Sequence, residues 1–181
     1  MNKVKFFTGL IIIVLIIWSC KKEKNPDPLV PEVKQGLVIN ELMAANSTTV
    51  YDQNGEYDDW IEIYNLTDSI VDISGYYLSD SKSDLSKWKF PAGTAIPPDS
   101  SIVVWADSDT LQSGLHTNYK LSSAGETLLL LTPDLKLTDI VKFEEVPLVI
   151  GAPVVDQSFA RKPNGTGDFE WSIPTFNKKN N

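Results

Sequence analysis

Asp59-Trp60-Ile61-Glu62-Ile63-Tyr64-Asn65 is the segment on which the fold turns. Its β-branched and aromatic residues suit a pleated strand, whose successive side chains leave on opposite faces. Ile61 and Ile63 therefore share one side, which the simplest reading turns toward a core, while Trp60, Glu62 and Tyr64 share the other. Outward from this segment the same kind of stretch recurs. Strands are expected over Leu37–Leu42, Trp60–Tyr64, Tyr76–Leu78, Lys87–Phe90, Ile102–Trp105, Thr127–Leu131, Lys136–Phe143, Ser158–Arg161 and Phe169–Ser172. Clusters of Gly, Pro, Asn, Asp and Ser separate them, and no long stretch keeps a 3.6-residue period. Thr132-Pro133-Asp134-Leu135 reads as a hairpin turn, because proline presets the bend and Asp134 can cap it. Leu128–Leu131 lacks alternation, as a strand buried on both sides in the middle of a sandwich would. Short strands at this spacing predict an all-β fold, an antiparallel β-sandwich.

A longer succession surrounds the opening segment. Ile39-Asn40-Glu41 precedes it; Ile73-Ser74-Gly75-Tyr76-Tyr77-Leu78-Ser79-Asp80, Trp88-Lys89-Phe90-Pro91 and Ile96-Pro97-Pro98 follow. Leu115-His116-Thr117-Asn118-Tyr119-Lys120-Leu121-Ser122, Gly125-Glu126 and Pro163-Asn164-Gly165-Thr166-Gly167 complete it. Taken in order, these elements resemble the lamin tail domain, in the form carried by bacterial members of that family, over Gly36 to Asn177. The resemblance implies an immunoglobulin-like sandwich acting as a binding or scaffolding module. It carries over no catalytic residues, and the coiled-coil rod of lamins is missing from the sequence, so a filament-forming role is not expected. Local physics supports the same motifs: Gly75 permits a tight turn, and Pro91, Pro97 and Pro98 break the chain at a sheet corner. Trp60, Trp88 and Trp105 read first as packing residues, with an exposed platform for sugar stacking as the alternative.

Toward the N-terminus the composition changes. Lys3 and Lys5 precede an unbroken apolar run from Leu10 to Trp18, shorter than a bilayer-spanning helix requires, so residues 1–19 read as an export signal. The one cysteine of the chain, Cys20, follows directly and has no disulfide partner. Ile17-Trp18-Ser19-Cys20 resembles the bacterial lipobox, which implies a diacylglycerol and further palmitate-like acyl chains on Cys20; Trp18 departs from the small residue usual there. Residues 20–35, with Pro26, Pro28 and Pro31, read as a semi-extended tether, and 178–181 as a polar tail. Lys21, Lys22 and Lys24 are a solvated run or a contact for anionic lipid heads. The expected location is the cell envelope, anchored in the outer membrane of a Gram-negative bacterium. Loss of Lys3 and Lys5 with the signal takes the net charge from −8 to −10, which disfavours nucleic acid as a partner.

Catalytic sets are hard to assemble from this inventory. One histidine, His116, is the sole base for a triad, and its place in the shared motif favours a structural hydrogen-bonding role. Metal sites made of His and Cys clusters lack their residues. Asp59 and Glu62 are the nearest carboxylate pair, yet three positions apart on a strand they point to opposite faces, and Glu62 reads as hydrogen-bonded inside the fold. Asp52, Asn54, Glu56, Asp58 and Asp59 offer hard oxygen ligands in one loop, but Gly55 and Glu62 miss the positions an EF-hand requires; an acidic turn is the simpler reading, and calcium stays open. Asp68-Ser69-Ile70 and Asp109-Thr110-Leu111 resemble a short bacterial O-glycosylation signal. No catalytic residue, metal ligand or cofactor is therefore expected. The expected function is a non-enzymatic envelope module that holds a protein or glycan near the membrane. An accessory protein of a surface hydrolase system and a carboxylate-based hydrolase are the alternatives.

Overall fold

The opening segment is the strand β2, Asp59–Asn65, and it is hydrogen-bonded along both edges. The structure is a computed structural model that describes residues 36–147 and 156–181. The signal 1–19, Cys20 and the tether 20–35 lie outside the described residues. One sheet of five strands has the order β11-β10-β1-β2-β7, from β1 (Leu37–Met43), β7 (Ser100–Ala106), β10 (Ser158–Lys162) and β11 (Asp168–Ser172) around β2. The facing sheet has the order β5-β4-β8-β9, from β4 (Tyr77–Ser79), β5 (Trp88–Lys89), β8 (Gly125–Leu131) and β9 (Leu137–Glu144). Every ladder is antiparallel. Each of the expected strands is present, with ends shifted by a few residues. Two more were not expected: β3 (Val71–Asp72) and β6 (Ala95–Ile96), a pair of two-residue strands at the sheet corner. Strands so short carry no period for a sequence pattern to reveal.

Alternation puts Ile61 and Ile63 inward, against Leu78, Leu128, Leu130, Val141 and Phe143 of the other sheet. Fully burying such side chains contributes roughly 1.5–3 kcal/mol each. β8 is interior in its sheet, and Leu128 to Leu131 are all fully buried, as the missing alternation required. The turn to β9 forms as expected: Leu135 N–H donates to the Thr132 carbonyl, and Thr132 Oγ1 donates to Asp134. Gly125 opens β8 at φ +90°, where a Cβ would meet the Phe143 carbonyl oxygen at 2.6 Å, so only glycine fits this approach of strands. At the end of β2, the buried Asn65 amide donates to the carbonyls of Ser69, Ile96 and Pro97 and so fixes the corner at which β3 and β6 meet.

The other face of β2 is also covered. Trp60 and Glu62 are fully buried and Tyr64 nearly so. Phe176 meets Trp60 edge to face at 5.2 Å, and Met43, Trp60 and Trp105 form a second small core beneath it. The expected polar tail contributes to this cover: Asn180 is fully buried and donates to the Asn40 carbonyl, and Lys179 pairs with Asp99 at 2.6 Å. The domain's packing therefore runs past Asn177.

The two sheets are joined by a buried ion pair. Asp139 on β9 and Arg161 on β10 meet at 2.9 Å, both almost wholly buried. The register of β1 shifts between Ile39 and Glu41, and β1 pairs with β10 only at Glu41 and Leu42. Where that ladder stops, Ile39 N–H donates to Asp139 and Arg161 Nε donates to the Ile39 carbonyl. The side-chain pair thus replaces two backbone bonds that β1 gives up. Removing one partner strands a charge in the interior, so Asp139→Leu is expected to cost about 3–5 kcal/mol. Asp139→Leu combined with Arg161→Met should cost less than Asp139→Leu alone, as measured by urea unfolding of the full chain.

Candidate functional site

Three segments converge beside the end of β7. The stretch Leu115–Thr117 lies along its edge through a one-residue parallel bridge, with Trp105 N–H donating to the Leu115 carbonyl and Thr117 N–H to the Trp105 carbonyl. This bridge sets His116 against Asp107, two residues beyond Trp105: Nδ1 and Asp107 Oδ2 are 2.5 Å apart and both side chains are buried. The other ring nitrogen, Nε2, faces the Gln53 amide nitrogen at 2.8 Å. In this orientation of the Gln53 amide, Nε2 accepts and Nδ1 donates to Asp107.

The acidic loop closes over this pair. Asp52 is buried; its Oδ1 accepts the backbone N–H groups of Asn54 and Glu56, which makes the loop an Asx-type turn. Gln53 donates to the Ser113 carbonyl at 2.5 Å and Gln112 to Glu56, tying this loop to the 107–114 loop. One oxygen each from Asp52 and Asp107 and one nitrogen of His116 lie within 4.8 Å of one another; a second such group unites Asp52, Glu56 and Asp58. Burial raises Asp58 above the usual carboxylate range, and the charges of Asp107, Glu56 and Asp52 add to this against the opposing pull of Lys120. Asp59, grouped with this loop in sequence, is elsewhere.

Asp59 opens instead on a cleft of about 340 Å³, with Asn46, Ser47, Ser123, Glu145 and Asp156 around it. Burial pushes its carboxyl up to about 7, against hydrogen bonds from the Asn46 and Leu121 backbone and the charge of Lys120. Asp156 goes the other way. Burial opposes its ionisation, but Ser47, Thr48 and Thr49 all donate to it and hold it at about 2. Those bonds occupy both oxygens in fastening the 47–49 turn. Glu62 is far from this cleft in chemistry as well as in face: it accepts from Asn40 at 2.6 Å and from Asn177 N–H, and burial foremost raises its pKa, with Glu41 adding. It is hydrogen-bonded within the fold. Trp60, Trp88 and Trp105, the three weighed as a platform, are all buried, so none of the three is open to a sugar. Exposed aromatic surface is found instead at Tyr51 and Tyr57, 63% and 46% accessible, set edge to face at 6.0 Å on the acidic loop. Ser69 and Thr110, the hydroxyls of the two glycosylation-like triplets, are exposed.

His116 was singled out in the sequence for its hydrogen bond, which it makes, but its partner Asp107 was not, because Asp107-Ser108-Asp109 looks like any acidic turn. Nor does spacing hint that Asp52, more than fifty residues upstream, reaches the same spot. A family model described as Lamin Tail Domain matches residues 31–145. The chain belongs to the lamin tail domain family, and its two packed sheets are an immunoglobulin-like sandwich. That fold class is generally non-catalytic and consistent with a binding module. β10 and β11 lie beyond the matched stretch, yet they complete its five-stranded sheet. No curated protein matches the chain.

Asp59 sets a pH dependence. Because its folded pKa of about 7 stands above the ordinary 3.8, its contribution to stability is fully present below about pH 4 and is lost as pH rises through 7. Asp156, held at about 2, contributes above the ordinary carboxylate range and loses this as pH falls. Thermal melts of the Asp59→Asn variant should lack the wild-type decline between about pH 4 and pH 7 and match wild type below about pH 4.

Proposed function

We propose that this protein is a non-catalytic binding module, held at the cell envelope by acyl chains on Cys20, that keeps a protein or glycan partner close to the membrane. The observation that carries this reading is the Tyr51–Tyr57 pair. Two aromatic rings stand in solvent on one loop, and that loop is braced by the Gln53 and Gln112 hydrogen bonds. Leu111, in the loop to which Gln53 and Gln112 tie the tyrosine loop, is almost wholly exposed as well. Rigid, amphipathic tyrosine suits contact with sugar faces or with a protein at low entropic cost. Asn54, Glu56 and Asp58 belong to the same loop as the two tyrosines, so a neutral or basic partner is favoured.

The anchor and the capture surface are tested separately. Cys20→Ser should move the protein from the detergent phase to the aqueous phase, and unchanged partition would remove the lipid anchor from the reading. Tyr51→Ala and Tyr57→Ala should each weaken capture of the cross-linked partner by about tenfold without lowering the melting temperature, as exposed hot-spot aromatics do. Capture unaffected by both substitutions would move the binding surface elsewhere.

A second reading is favoured by one observation, the pair Asp59 and Asp156 on a single cleft with pKa values pushed apart. Such a split is how a hydrolase assigns acid and base roles. The hydrogen bonds that consume Asp156 weigh against it. Turnover of an ester or glycoside that is lost in Asp59→Asn, with the fold intact, would place this reading first.

A further inference from the structure

We infer that Asp52, Asp107 and His116 form a binding site for a single divalent transition-metal ion of the zinc class. One donor atom from each already lies within 4.8 Å of the others, in a buried place. The second observation is an oxygen without a partner. Asp52 Oδ1 is satisfied by two backbone N–H groups, but Asp52 Oδ2 is buried and has no hydrogen-bond partner among the described residues. A buried carboxylate oxygen left unpaired is costly unless a cation or donor completes it.

Charge points the same way. Asp52, Glu56, Asp58 and Asp107 crowd one corner, and Lys120, which opposes them, is exposed and 3.9 Å from Asp58. Two aspartates and a neutral imidazole around a divalent ion give no net charge, which a buried site favours. The imidazole donor selects the metal: nitrogen and carboxylate ligands suit Zn²⁺, whereas Ca²⁺ takes oxygen alone.

Loading needs one proton to move and nothing to be oxidised. The ring proton, now on Nδ1 between His116 and Asp107, passes to Nε2, where the exposed Gln53 side chain can turn its amide oxygen to receive it. Asp107 and His116, 2.5 Å apart without the ion, then separate to admit the metal on Nδ1, and Asp107 stays as a ligand. Gln53 becomes the outer partner that fixes the ring, as metal-bound histidines usually have. Because the Asp52 turn and the 107–114 loop both contribute, the ion would lock together the loops that carry Tyr51, Tyr57 and Leu111.

The chain has one histidine, so its ring reports without ambiguity. The full chain carrying Cys20→Ser, which removes the lone thiol as a rival ligand, is stripped with chelator and titrated with Zn²⁺, Mn²⁺ and Ca²⁺ by calorimetry and by nitrogen-15 spectra of the imidazole. We expect one equivalent of Zn²⁺, a shift of the Nδ1 resonance, and a higher melting temperature. Asp52→Asn, which keeps the Oδ1 hydrogen bonds, should weaken Zn²⁺ by tenfold or more, and Gln53→Ala by about tenfold, in the range seen for outer partners of metal ligands. An Nδ1 resonance unmoved by Zn²⁺, or Zn²⁺ and Ca²⁺ binding alike and unchanged in Asp52→Asn, would overturn the site and leave only cations on exposed acids.

Discussion

The buried pair of Asp139 and Arg161 is the constraint from which most of this architecture follows. It links β9 of one sheet to β10 of the other and, through Ile39, holds β1 between them. A polar contact is here the joint between two apolar layers. Such pairs add little net stability compared with well-packed hydrophobic residues, because desolvation offsets attraction. They do exclude alternatives: with Arg161 also over the Phe169 ring at 4.3 Å, a slip of β10 by one residue would turn the guanidinium to the wrong face.

Around this joint the irregularity in β1 becomes intelligible. The register shift at Asn40 turns the Asn40 side chain into a hub that bonds Glu62, Asn164 and the Gly165 N–H. Next to it, Glu41 accepts from Ser158 and from Thr175. These bonds draw the residues after β11 across the outer face of the sheet, where Phe176 seals the tryptophans. The sandwich therefore has a partial third layer, polar beside β1 and aromatic beside β7. It explains why all seven residues of β1 are buried although the strand belongs to one sheet only.

Legibility in the sequence followed period and length. β2 and β8 are each seven residues long, and alternation in the one and its absence in the other placed the core correctly. β3 and β6 escaped, being too short to have a pattern. The inward Asp139 breaks the apolar run expected of a buried face, and the outer cover could not be read because Thr175, Phe176 and Asn180 follow the last strand as an ordinary polar stretch. Of the candidate site, the loop and His116 were visible as residues worth weighing. Their meeting at Asp107 was not, since it depends on a one-residue bridge along β7 that leaves no periodic trace.

The burial of β1 between two neighbours also has a mechanical meaning. The chain enters the domain at Leu37, at one pole of the sandwich, and β1 ends at Met43, where the loop bearing Tyr51 and Tyr57 begins at the opposite pole. Tension between that entry point and that loop runs along the strand axis. The bonds from β1 to β2 and β10 then bear the load together in shear, rather than opening one by one as they would if an edge strand were peeled away. A domain pulled from these two points resists force with a strand held along both edges.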